Sequence, residues 1–156
     1  MVKVRRIRVD EAPLVRELVR TATEERARLH PEDRIGISEQ GLVNLETQFR
    51  LGAVHEDELT LVAVDDDKIV GFLCAWITRG RATPGVAGEI DWLWVTPGHA
   101  GGDVERSLGE AAVGWLKEQG ARAIFKMEDR EHPNLELWEG LGFQGDVIRF
   151  SLYGSL

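Results

Sequence analysis

The chain has 156 residues but only one cysteine, Cys74, and one tyrosine, Tyr153, and it contains no run of about 18 apolar residues. A lone cysteine excludes an internal disulfide and a thiol-based zinc cluster. The four histidines, His30, His55, His99 and His132, show none of the short spacings by which imidazoles share a metal, so none is expected. The first thirty residues carry basic charges without an apolar segment, so neither a signal peptide nor a membrane span is expected, and the expected location is cytoplasmic. Positive charge is also scarce: 19 Lys and Arg stand against 27 Asp and Glu, a net charge of -8. That balance disfavours a nucleic-acid backbone or an anionic membrane as main partner, because both need a positive footprint. It suits cationic partners instead. The local exception, Lys3, Arg5, Arg6 and Arg8, is interleaved with Val4, Ile7 and Val9 and reads as a charged edge strand rather than a nucleic-acid arm.

What remains is ordinary soluble-domain composition, with 43% hydrophobic and 29% charged residues. A chain of this length buries about 68–70% of its unfolded surface around one core. A strand is expected over 2–9. Asp10 then serves as N-cap, with Pro13 in the first turn of a helix whose apolar face is Leu14, Val15, Leu18, Val19 and Ala22, and which stops at His30-Pro31. A weaker amphipathic helix runs from Ser38 to about Leu51, ended by Gly52. Residues 59–64 and 69–78 read as a hairpin around the polar turn Asp65-Asp66-Asp67-Lys68. The three aspartates suggest calcium only if further oxygen ligands follow at regular offsets, and the chain turns straight back into a strand. After a loop over 79–88, residues 89–95 form a third strand, apolar on both faces and hence central. A helix over 103–119 stops at Gly120. A strand over 121–127, a short helix over 133–141 and a strand over 147–153 complete the chain. There are no repeats, linkers or low-complexity tracts, and the order β-α-α-β-β-β-α-β-α-β describes one α/β domain over residues 1–156 with a mixed sheet.

The unit Glu89-Ile-Asp-Trp-Leu-Trp-Val-Thr-Pro97, a glycine-bearing loop, and a helix ending in Lys117-Glu-Gln-Gly120 is a strand-loop-helix of the kind that binds anions: free backbone N–H groups and a helix dipole meet at one point. Together with the element order it resembles the GNAT superfamily of acetyl-CoA-dependent N-acetyltransferases. Val95-Thr96-Pro97, Ala111-Ala112 with Trp115, and Trp138-Glu-Gly-Leu-Gly142-Phe143 fall into register with that family's motifs. The resemblance implies a mixed, mostly antiparallel sheet flanked by helices. It also implies acetyl-CoA held by Trp94 and Val95 at the strand end, by Ala100, Gly101, Gly102, Asp103, Val104 and Glu105 in the loop and helix start, and by Trp138. The implied reaction moves an acetyl group directly to a small-molecule or peptide amine, and a homodimer is a compatible assembly.

Several positions depart from the family pattern. The family's loop Arg or Gln falls on Ala100, its first glycine on Asp103, its closing Gly or Ala on Glu105, its tyrosine on Trp138, and an asparagine on Glu131. Two carboxylates beside the expected diphosphate repel it, and an indole N–H is no practical acid for a thiolate. Asp103 is also a good N-cap and Glu105 a good first-turn acid, so the protein's own carboxylate can occupy the N–H groups that a phosphate would otherwise use. An inactive, regulatory or dimer-forming module that has lost coenzyme A therefore stands as the alternative to an enzyme.

Glu89 and Asp91, at i and i+2 on the central strand, share one face and are the candidate general bases. Ile90, Trp92 and Trp94 are expected on the other face, as core or as a stacking wall. Cys74 alternates with Phe72 and Trp76 and reads as a buried thiol rather than a nucleophile. His99 and His132 read as solvated loop residues, and Tyr153 supplies a phenol only if the fold brings it near.

Overall fold

The computed structural model describes residues 1–31, 36–79, 85–128 and 134–145. Five strands, β1 (Lys3–Arg6), β2 (Glu58–Asp65), β3 (Lys68–Arg79), β4 (Val86–Val95) and β5 (Ala121–Lys126), form one sheet in that order. Every neighbouring pair is antiparallel except β4 and β5, which are parallel. The exception follows from the connection: helix α3 (Asp103–Glu118) carries the chain back across the sheet, as a parallel pair requires. This is the mixed, mostly antiparallel α/β architecture expected from the element order.

Helices α1 (Ala12–Leu29) and α2 (Glu39–Val54) lie on one face, where Val15, Val19, Leu42 and Phe49 pack with Val62, Phe72 and Cys74. Helices α3 and α4 (Leu135–Gly140) cover the other, where Leu108, Ala112, Leu116 and Trp138 meet Leu61, Leu73, Ala75, Ile90 and Val95. The alternation of Leu61, Val62 and Ala63 between the two clusters is the period-two signature of a strand buried on both sides.

Local chemistry moves several boundaries. Asp10 does not cap α1. A short 3-10 turn, Val9–Glu11, precedes the helix, and it is the Glu11 carboxylate that accepts the Arg8 backbone N–H at 2.9 Å. Arg5 donates to both oxygens of Glu11, at 2.8 and 2.7 Å, and side-chain hydrogen bonding to Arg5 lowers that carboxyl to about 2. Arg6 donates to the carbonyls of Gly52, His55 and Glu58. With Arg8 also 3.0 Å from Glu11, three of the four basic residues at the start are engaged by the chain's own acceptors.

Gly52 does not end α2, which runs two residues further. It is a contact glycine: a Cβ there would lie 2.1 Å from Thr60 Oγ1, where α2 crosses β2. Ser38 does cap α2, accepting the Gly41 N–H at 3.0 Å. Strand β4 begins at Val86 rather than 89 and takes in Gly88, whose missing Cβ makes room for Leu116 of α3. The β2–β3 turn places Asp66 and Asp67 at φ 43° and 64°, the left-handed pair that a two-residue hairpin needs and that aspartate tolerates. The strand expected over 147–153, with Tyr153, lies outside the described residues, as do Glu131, His132 and the start of the short helix.

Candidate acyl-transfer site

Strand β4 carries a bulge. Ile90 pairs with Ala75 and Leu93 with Leu73, so Asp91 and Trp92 together face the single residue Cys74. The extra residue shifts the alternation by one. Ile90, Leu93 and Val95 point into the α3 cluster, while Trp92 and Trp94 join the α1–α2 cluster. The tryptophans therefore do not share a face with Ile90 as strict alternation predicts. They lie on the Asp91 side, with Trp94 6.4 Å from the Phe72 ring. No pattern in one strand reveals this, because a bulge is a mismatch between two.

The α1–α2 side of the bulge is acidic. Asp91 is exposed, yet partial desolvation at the bulge raises its carboxyl above the usual aspartate range, and the Lys126 ammonium opposes part of the rise. Burial also lifts Glu58, with His55 opposing and Asp57 reinforcing. Glu58 pairs with Trp76, and Trp76 in turn with Glu89, so three acids lie across adjacent strands. Cys74 is fully buried, its Sγ 3.8 Å from Thr60 Oγ1, and burial pushes its thiol up to about 12, with Asp91 and Glu58 adding to the effect. A thiol so held is no nucleophile near neutral pH. Glu58 escaped the sequence reading, its only signal being an acid directly before an apolar strand.

At the far end of β4, Pro97–His99 form a 3-10 turn and Gly101 adopts φ 84°, which only glycine takes without strain. Added Cβ atoms at Gly98, Gly101 or Gly102 would meet nothing, so the loop faces open space. Its N–H groups are nonetheless in use. The Glu105 carboxylate accepts from Gly101 N–H at 2.8 Å and from Gly102 N–H at 3.1 Å. Gly102, not Asp103, is the N-cap of α3, and Asp103 is its first helical residue. The internal carboxylate expected at this helix start is thus present, but it belongs to Glu105. Val104 is buried in the α3 cluster, whereas Ala100 and Asp103 are exposed. The loop's shape suits a diphosphate, while its charge does so only once Glu105 has turned away.

His99 is not merely solvated. Its Nε2 lies 2.9 Å from Asp65 and its Nδ1 3.2 Å from Thr96 Oγ1, tying the loop to the β2–β3 turn. The hydrogen bond from His99 holds the Asp65 carboxyl below its usual range. A groove of about 400 Å³ opens beside Pro97, lined also by Thr21, Glu24, Glu25 and Arg28 of α1.

On the α3–α4 side, Trp138 is 4% exposed and packs edge-on against Phe143 at 5.4 Å. Its indole N–H donates to Glu128 at 2.5 Å. Trp138 is thus a buried aromatic with a satisfied donor. Among the described residues, no group of three or more His, Cys, Asp or Glu is placed to hold a metal ion, and no helix is long and apolar enough to cross a membrane.

A bulged central strand, a glycine turn at its end and a helix opening on that turn, all in a mixed five-stranded sheet, define the acetyltransferase class of α/β fold. A family model, the Acetyltransferase (GNAT) family, matches residues 14–143, and the chain belongs to that family. Among solved structures, the tetramutant of the BH1408 protein from Bacillus halodurans superimposes with a TM-score of 0.77 at 20% identity, over 97% of this chain and 99% of that one. The aminoglycoside acetyltransferase meta-AAC0020 from an uncultured soil metagenomic sample, crystallised with trehalose, gives 0.70 at 16%, over 99% and 96%. A predicted acetyltransferase with acetyl-CoA from Clostridium acetobutylicum gives 0.74 at 15%, over 98% and 96%. These likenesses establish the fold. No curated protein matches the sequence.

Proposed function

We propose that the protein transfers an acetyl group from acetyl-CoA to a cationic small-molecule or peptide amine, in one direct step, with Asp91 as general base. The observation that carries this reading is the Asp91 carboxyl on the bulge of β4, held above its usual range beside Trp92. A base whose proton affinity is raised is better matched to taking a proton from an ammonium than an unperturbed aspartate. Glu89 and Glu58 supply the negative field that attracts the acceptor, as do Glu24 and Glu25 in the groove beside Pro97. When bound, acetyl-CoA would supply the activated thioester, and the coenzyme A thiolate released as the C–S bond breaks would take its proton from water. The chain's part is to orient it along β4 and at Gly101 and Gly102, to admit the amine, and to receive its proton at the Asp91 carboxylate, through water.

The same reading takes residues 1–156 as one acyltransferase domain that works in the cytoplasm, as a monomer or homodimer, without metal, nucleic acid or membrane. It is tested by incubating the protein with acetyl-CoA and a panel of polyamines, aminoglycosides and basic peptides, with acetylated product read by mass spectrometry. Asp91→Asn should lower kcat/KM by about 10²–10⁴-fold. An unchanged rate in that variant removes Asp91 from the role.

One observation favours a second reading. Glu105 already occupies the loop's N–H groups, as in a protein that has given up the cofactor and serves as a ligand-binding or regulatory module. Absence of any binding of acetyl-CoA or coenzyme A at millimolar ligand would establish it.

A further inference from the structure

Strand β5 stops pairing with β4 at Ile90 and Lys126, one residue before the bulge. Lys126 bridges the divergence. Its ammonium donates to the Asp91 main-chain carbonyl at 2.9 Å and to the Met127 carbonyl at 2.7 Å, and lies 3.3 Å from Glu128. The Trp138 ring centroid is 5.7 Å away, and the Lys126 side chain is only 9% exposed. A lysine this enclosed is uncommon and persists only where its charge is matched. Here two carbonyls accept from the ammonium and the Glu128 carboxylate balances its charge. Glu128 also accepts from the Trp138 indole, so a chain of contacts runs from α4 through Glu128 and Lys126 to the backbone of the bulge.

We infer that Lys126 is a positioning residue for Asp91: its ammonium pins the bulge through the Asp91 carbonyl and sets a positive charge beside the residue that takes the proton. The inference rests on the reading of Asp91 as the base. Around Asp91 the neighbouring strands place Glu58 on β2, Cys74 on β3 and Glu89 on β4, none of which carries positive charge. Desolvation favours the protonated carboxyl, and Lys126 from β5 is the cation that opposes it. Without Lys126, desolvation would act on the Asp91 carboxyl unopposed, in the direction of the protonated form. The alternation of Arg122, Ile124 and Lys126 marks the lysine as facing one side of β5, but not that β4 diverges beside it.

The test compares wild type with Lys126→Met, Lys126→Gln and Lys126→Arg. The titration of the Asp91 carboxyl is followed by carbon NMR on labelled protein, and kcat/KM is measured against pH. Removing the opposing charge should raise the Asp91 midpoint. Lys126→Met and Lys126→Gln should both show that rise, the acid limb of the rate profile should move with it, and Lys126→Arg should restore both. Lys126→Gln keeps a donor for the Asp91 carbonyl while removing charge, so it decides the matter if the methionine variant does not fold. An unmoved Asp91 midpoint in a folded, uncharged variant overturns the inference, as does an arginine variant that behaves like glutamine. If wild type acetylates no amine, the acetyltransferase reading fails while the NMR titration still decides the role of Lys126.

Discussion

Replacing Glu105 with glutamine removes one negative charge from the mouth of the glycine loop while keeping the length and one of the two oxygen acceptors that serve Gly101 and Gly102. Two effects of opposite sign follow. The helix start loses an acidic side chain bonded to its free N–H groups, worth about 0.3–1 kcal/mol at an exposed terminus, which at this chain length lowers Tm by roughly 1–4 °C. A diphosphate approaching the same N–H groups loses a repulsion. One unit charge about 4 Å from another costs about 1 kcal/mol in water and about 4 kcal/mol at an effective dielectric near 20. The loop is open to solvent, so the lower figure governs, and two phosphate charges give about 1–2 kcal/mol. Coenzyme A should therefore bind Glu105→Gln about 5–30-fold more tightly than wild type, by isothermal titration calorimetry at low salt. The gain should shrink at high salt, where exposed charges are screened. An affinity equal to or weaker than wild type at low salt would refute competition between the carboxylate and the cofactor.

Three further outcomes follow from the packing. Glu11, 7% exposed and bonded to Arg5 and Arg8, has a folded-state carboxyl at about 2 against an ordinary value of 4.5, so the folded state favours its charged form. Its contribution of at most about 3 kcal/mol is full above about pH 4.5 and is lost as pH falls toward 2; urea melts should show this acid limb flattened in Glu11→Gln, and an unchanged limb would contradict the pairing. Gly52→Ala should cost about 2 kcal/mol or more and lower Tm by roughly 4–8 °C, because its Cβ meets the Thr60 backbone N at 2.7 Å as well as the hydroxyl; an unchanged Tm would mean that α2 does not cross β2 this closely. Cys74 should resist iodoacetamide at pH 8 in the folded protein and react fully in denaturant, since burial holds the thiol at about 12; rapid labelling of the native protein would show the sheet face to be open.

The sheet was legible because its strands alternate strictly or are apolar on both faces, and the helices because their apolar residues recur at helical spacing. The glycine loop before α3 was legible as an element, since a glycine-rich turn ahead of an amphipathic helix marks a strand-loop-helix unit. Choices between adjacent acids were not. Asp10 and Glu11 both suit a helix start, and it is Arg5, reaching over from β1, that selects Glu11. Asp103 and Glu105 are likewise equivalent on paper, but only the longer side chain, one turn in, folds back to Gly101 and Gly102. The bulge at Asp91 and Trp92 and the bridge made by Lys126 depend on how β4 fits β3 and parts from β5, and no single strand's sequence records a fit between two.

The central claim is that this loop still receives acetyl-CoA despite the carboxylate that occupies it. Calorimetric titration of wild-type protein, freed of endogenous ligand, with acetyl-CoA tests it most directly. The account predicts saturable binding with a Kd of roughly 10 μM to 1 mM, weakened but present. No heat at millimolar acetyl-CoA would contradict it and leave a family member whose own glutamate has replaced the cofactor.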